Sequence, residues 1–146
     1  MGVELENQEL NKEGNHLGYG QAKGTRATAQ EITDLYAGLQ DSDLSSFQMM
    51  LSGYLPGAAS VEAVGAIARD LKYKATMEPG EFFWVLDPVM GDNGKLYVAE
   101  DVPPAYKSLI RDADLILPNQ FEAEYTSLFG NFGLVELMLA QDIIRS

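Results

Sequence analysis

The chain has 146 residues, is 46% hydrophobic and 22% charged, and carries a formal net charge of −12, which suits one compact domain with its own core. The 22 Asp and Glu against 10 Lys and Arg argue against a nucleic-acid binder, because that function needs a basic face to displace counterions from phosphates. No apolar run reaches bilayer length, no secretory signal opens the chain, and the absence of cysteine excludes disulfide and thiolate chemistry, so an intracellular, cytoplasmic protein fits.

Residues 1–14 are polar and aperiodic and predict a disordered tail. The glycine-rich "NHLGYGQAKG" at 15–24 predicts a loop or loose hairpin. At Thr28 a capping box opens, "TAQE", with Thr28 as N-cap and Glu31 reaching back to it. Ile32, Leu35, Tyr36 and Leu39 follow at helical spacing. "FQMML" at 47–51 then reads as a strand, and "SGYLPG" turns the chain. Val61, Val64, Ala68 and Leu71 form a second helical stripe that ends before Pro79-Gly80.

"FFWVL" at 82–86 is the next strand and runs into the acidic loop "DPVMGDNG". Pro103-Pro104 open a helix carrying Tyr106, Leu109 and Ile110, since proline loses no hydrogen bond in a first turn. "DLIL" at 114–117 is a third strand, and "PNQFEAEYTSLF" a further helix with Asn119 as N-cap. Residues 134–144 fit one more helix.

The strands are continuous apolar runs, the pattern of strands covered on both faces. Alternation of such strands with helices predicts an α/β fold with a parallel sheet and right-handed crossovers. Ligands in that architecture sit beyond the carboxyl ends of the strands. Three places qualify: Ser52-Gly53-Tyr54, Asp87 to Gly94, and Pro118-Asn119-Gln120.

Asp87 ends the second strand, and Pro88 stops the ladder there. Taken alone, an Asp-Pro turn followed by an Asn-Gly turn is the plainer explanation. The functional alternative has Asp87 orienting Mg²⁺, with Asp92 adding charge and with Gly91 and Gly94 letting backbone approach a phosphate. Tyr97 could offer its hydroxyl to a phosphate, although an aromatic in a short strand more often packs. Asn119 and Glu122 make a good helix start; as function, Glu122 is the second metal-directing carboxylate and Asn119 a phosphate contact. His16, the sole histidine, and Tyr54 are either rim residues or parts of a substrate pocket. No G-x-x-x-x-G-K-[ST] loop and no G-x-S-x-G elbow occurs.

"NHLGYGQAKGT", "SGYLPG", "VLDPVMGDNGKLYVAED" and "LILPNQFEAE" together resemble the pyridoxal kinases of the ribokinase-like superfamily, over roughly residues 15–129. The resemblance implies a three-layer fold, partial here, with a parallel central sheet and helices on both faces. It implies transfer of the γ-phosphoryl of ATP to the 5′-hydroxyl of pyridoxal, pyridoxine or pyridoxamine, with Mg²⁺ and a monovalent cation, in a homodimer. By match, Asp87, Asp92, Tyr97, Asn119 and Glu122 belong to the nucleotide site, with Asp87 and Glu122 serving the metal. His16, Gly18, Tyr19 and Tyr54 belong to the substrate pocket.

The chain departs from the family at Leu17 and Leu117, where a threonine is usual, and at Ala22, where a tryptophan is common. Residues 1–14 do not match the family's opening, and 130–146 diverge, so the resemblance is to a kinase truncated at both ends. The family's G-[TS]-G-D motif, source of its general base, has no counterpart in the sequence. A missing base is worth about 10²–10⁴ in rate, which leads to the expectation of no turnover from this chain alone. Two alternatives accompany this reading: a non-catalytic fragment that binds an intact kinase subunit, and a related hydroxymethylpyrimidine kinase.

Overall fold

The computed structural model describes residues 26–77 and 81–127. The expected tail, the loop at 15–24 with His16, Gly18 and Tyr19, and the helix at 134–144 lie outside the described residues.

Helix α1 (Ala29–Asp41) begins at the expected capping box. Thr28 Oγ1 accepts the Glu31 N–H at 3.1 Å, while Glu31 Oε2 accepts the Thr28 N–H at 2.7 Å. Then come β1 (Met49–Ser52), α2 (Ala58–Met77), β2 (Phe83–Leu86), β3 (Gly91–Asp92), β4 (Lys95–Leu96), α3 (Val102–Leu109), β5 (Leu115–Ile116) and α4 (Gln120–Ser127). Helix α3 carries proline in its first turn, as expected.

Strands β1, β2 and β5 form one parallel sheet in the order β1-β2-β5, with Met49 beside Phe83 and Val85 beside Leu115. Side chains alternate across a strand. Met50, Trp84, Leu86 and Ile116 therefore share one face, which meets the core formed with Ile32 of α1, Val61, Val64 and Ala68 of α2, and Val102, Tyr106 and Leu109 of α3. Trp84 and Leu86 are wholly buried. On the other face, among the described residues, Met49 and Leu51 remain 64% and 70% exposed.

Polar ties fix the helical layer. The Tyr36 hydroxyl donates to Asp70 Oδ2 at 2.6 Å and joins α1 to α2. Lys72 pairs with Asp114 Oδ1 at 2.7 Å, while Asp114 Oδ2 accepts the Trp84 N–H at 2.7 Å. One aspartate thus joins α2 to the entry of β2.

The acidic loop holds more order than its sequence suggests. Strands β3 and β4 pair antiparallel through the two-residue turn Asn93-Gly94, where φ is 50° and 77°. Both central residues are left-handed, as a tight hairpin requires, and the Asn-Gly reading of the sequence stands. The ladder itself escaped the sequence because two residues per strand carry no periodicity.

Candidate active site at the carboxyl ends of the parallel strands

Asp87 is the first residue after β2, and its N–H still bonds the Ser52 carbonyl at 2.8 Å, one step past the regular ladder. Pro88 then ends the strand. The side chain is half-buried, and no hydrogen bond reaches its carboxyl among the described residues. Burial, and secondarily the charge of Glu122, pushes its pKa up from 3.8 to about 6. The negative charge of Glu122 thus acts on the Asp87 carboxyl.

Glu122 is only 2% exposed, and its oxygens are engaged. Oε1 accepts the Met90 N–H at 2.8 Å and the Gly91 N–H at 3.4 Å, and Oε2 accepts the Asn119 N–H at 2.9 Å. Asn119 Oδ1 accepts the Glu122 N–H at 2.8 Å, and its amide nitrogen donates to the Gly91 carbonyl at 2.7 Å. The helix-start reading of "PNQFE" is thus realised as a reciprocal cap. The same residues also fasten α4 to the loop that follows Asp87. At the mouth of the sheet one acid is fixed by backbone donors, and the other is uncommitted.

The remaining expected positions divide. Asp92 is exposed, and its oxygens accept the Asn93 N–H at 2.7 Å and side-chain amide at 3.1 Å, so it shapes the hairpin turn. Tyr97 follows β4 and is 44% exposed. Gly91 does not open towards a ligand. A Cβ there would collide with the Lys95 carbonyl oxygen and the Phe121 ring, so this glycine lets α4 and β4 close in. At Gly94 the requirement is the positive φ of the turn. Tyr54, by contrast, is buried at 4% exposure directly after Gly53, whose missing side chain faces open space.

Sequence reasoning treated Tyr106 only as one residue of a helical stripe. The structure brings its hydroxyl to the Gly53 carbonyl at 3.0 Å, where burial and then the charges of Asp87 and Glu122 push its pKa up. Ser52 was likewise read as part of a turn, yet its Oγ accepts the buried Trp84 indole N–H at 2.9 Å. An aromatic at helical spacing gives no signal of either contact.

No protein-family profile matches the chain. Curated sequences do. Human pyridoxal kinase is 34% identical over 151 aligned positions that take in 100% of this chain and 47% of the human one. The pig enzyme is 37% identical over 75% of this chain and 34% of its own length. Among solved structures, pyridoxal kinase from Leishmania donovani in complex with ADP and pyridoxamine superimposes with a TM-score of 0.73 at 33% identity, covering 88% of this chain and 44% of that one.

The chain belongs to the pyridoxal kinase family.

Its fold is accordingly ribokinase-like, with the parallel sheet and its helices forming part of that architecture. The chain spans 35% to 47% of the length of the curated pyridoxal kinases that head the comparison. Among the described residues no helix is long and apolar enough to cross a membrane.

Proposed function

We propose that the protein is a vitamin B6 kinase, in which the Asp87 end of the sheet receives the phosphates of ATP and the Tyr54 side receives pyridoxal, pyridoxine or pyridoxamine. The observation that carries the reading is the half-buried Asp87 carboxyl, unengaged by hydrogen bonds and set beside the charge of Glu122. Two acids held together out of water repel each other, and such an arrangement persists where a cation relieves it.

The donor set fits Mg²⁺ of the kind that travels with a nucleotide. Among the described residues no group of three or more His, Cys, Asp or Glu forms a complete cage. Mg²⁺ commonly takes one or two carboxylates and completes its shell with phosphate oxygens and water. Asp87 supplies the open oxygens, while Glu122, already accepting three backbone N–H groups, contributes charge and holds the frame. When bound, the ion would neutralise charge on the transferring phosphoryl group, the main catalytic demand of this chemistry. Asn119 and Glu122 keep the start of α4 fixed, and Asp92 and Tyr97 border the nucleotide from the hairpin. His16, Gly18 and Tyr19 complete the vitamin pocket with Tyr54. A monovalent cation accompanies Mg²⁺, the assembly is a homodimer, and the compartment is the cytoplasm.

Ligand-observed NMR tests the proposal. Saturation transfer from the chain to pyridoxal and to Mg·ATP is expected, with no displacement of pyridoxal by hydroxymethylpyrimidine. A folded chain that fails to bind pyridoxal, or fails to bind Mg·ATP, overturns it.

A further inference from the structure

The hydroxyl of Tyr106 lies where backbone and site meet. Its ring is wholly buried in α3, and a buried phenol must find a partner for its O–H. The partner is the Gly53 carbonyl at 3.0 Å, just past the last ladder residue of β1. That hydroxyl therefore holds the backbone immediately before Tyr54.

Beyond Gly53, Tyr54 and Leu55 are buried at 4% and 7% exposure. A side chain at Gly53 would meet open space, so no close packing defines its position. Ser52, one residue earlier, is held from the sheet side by the Asp87 N–H at its carbonyl and by the Trp84 indole at its Oγ. The charges of Asp87 and Glu122 also act on the Tyr106 hydroxyl, which lies towards the acidic end of the sheet.

We propose that Tyr106 is a positioning residue for the vitamin: its hydroxyl holds the Gly53 carbonyl, directly before Tyr54, and fixes that ring beside the phosphate end of the site. The proposal rests on the B6-kinase reading for the identity of the ligand, while the clamp stands on geometry alone.

Tyr106→Phe removes the hydroxyl and keeps the ring. Loss of one such hydrogen-bonding group should weaken pyridoxal binding roughly 10-fold and leave Mg·ATP affinity within about 2-fold. Amide hydrogen exchange at Tyr54 and Leu55 should quicken at least about 10-fold, with α2 amides unchanged. Unaltered exchange at those two amides overturns the clamp, and equal weakening of both ligands overturns its selectivity for the vitamin. If the unsubstituted chain binds no pyridoxal, the B6-kinase reading fails and the exchange data alone judge the clamp. Should the variant not fold, the unsubstituted chain decides: a slowly exchanging Tyr106 hydroxyl proton with a nuclear Overhauser contact to the Gly53 α-protons is expected, and its absence overturns the proposal.

Discussion

Asn119 and Glu122 hold each other through two hydrogen bonds, 2.8 Å from the Glu122 N–H to Asn119 Oδ1 and 2.9 Å from the Asn119 N–H to Glu122 Oε2. Because Glu122 Oε1 also takes the Met90 N–H, a single carboxylate ties the start of α4 to the loop behind β2. Glutamine cannot replace it, since one of its two terminal atoms is a donor and would face a backbone N–H. Glu122→Gln should cost about 2–4 kcal/mol, the scale of a buried polar group left mismatched. Urea unfolding of the two proteins side by side measures this, and a difference below about 0.5 kcal/mol would remove Glu122 from the framework.

Asp87 predicts an unusual pH profile. Its pKa in the folded chain is raised to about 6 from 3.8, so the folded state keeps a proton that the unfolded chain has lost across that window. Stability attributable to this group is therefore full below pH 3.8, falls as pH rises towards 6 and is flat above it. Asp87→Asn abolishes the decline and should make the chain about 1–3 kcal/mol more stable at pH 8. Denaturation midpoints taken between pH 4 and 8 for both proteins test it; parallel curves would contradict the assignment.

The sole tryptophan reports on the same end of the sheet. Ser52→Ala strands the buried Trp84 indole N–H without its acceptor and should destabilise by about 1–3 kcal/mol. Trp84 emission should shift in the folded variant, and unchanged emission with unchanged stability would show that the indole has another partner.

Two glycines of the acidic loop should respond differently. Gly94→Ala places a side chain at φ 77° in open space and should cost about 1–2 kcal/mol. Gly91→Ala meets a backbone carbonyl and the Phe121 ring, neither of which gives way easily, and should cost more. Thermal unfolding ranks the two, and the opposite order would refute the close approach of α4 and β4.

Much of this arrangement was legible beforehand. The Thr28 capping box, the apolar runs of β1, β2 and β5 and the prolines of α3 are local signals, and local physics sets them. The positions of Asp87 just after β2 and of Glu122 in the helix that follows β5 were legible because the apolar runs mark where those strands end. What could not be read is long-range. Whether Asp87 or Glu122 keeps open oxygens depends on which backbone N–H groups arrive from elsewhere, and Gly91 proved to serve packing. Tyr106 looks like any core aromatic until the fold brings it to Gly53.

The most direct test of the account is calorimetric titration of Mg·ATP into the folded chain and into its Asp87→Asn variant. The account predicts saturable, Mg²⁺-dependent binding that weakens at least about 10-fold when the open carboxylate is neutralised. Equal affinity in the two proteins, with both folded, would contradict it.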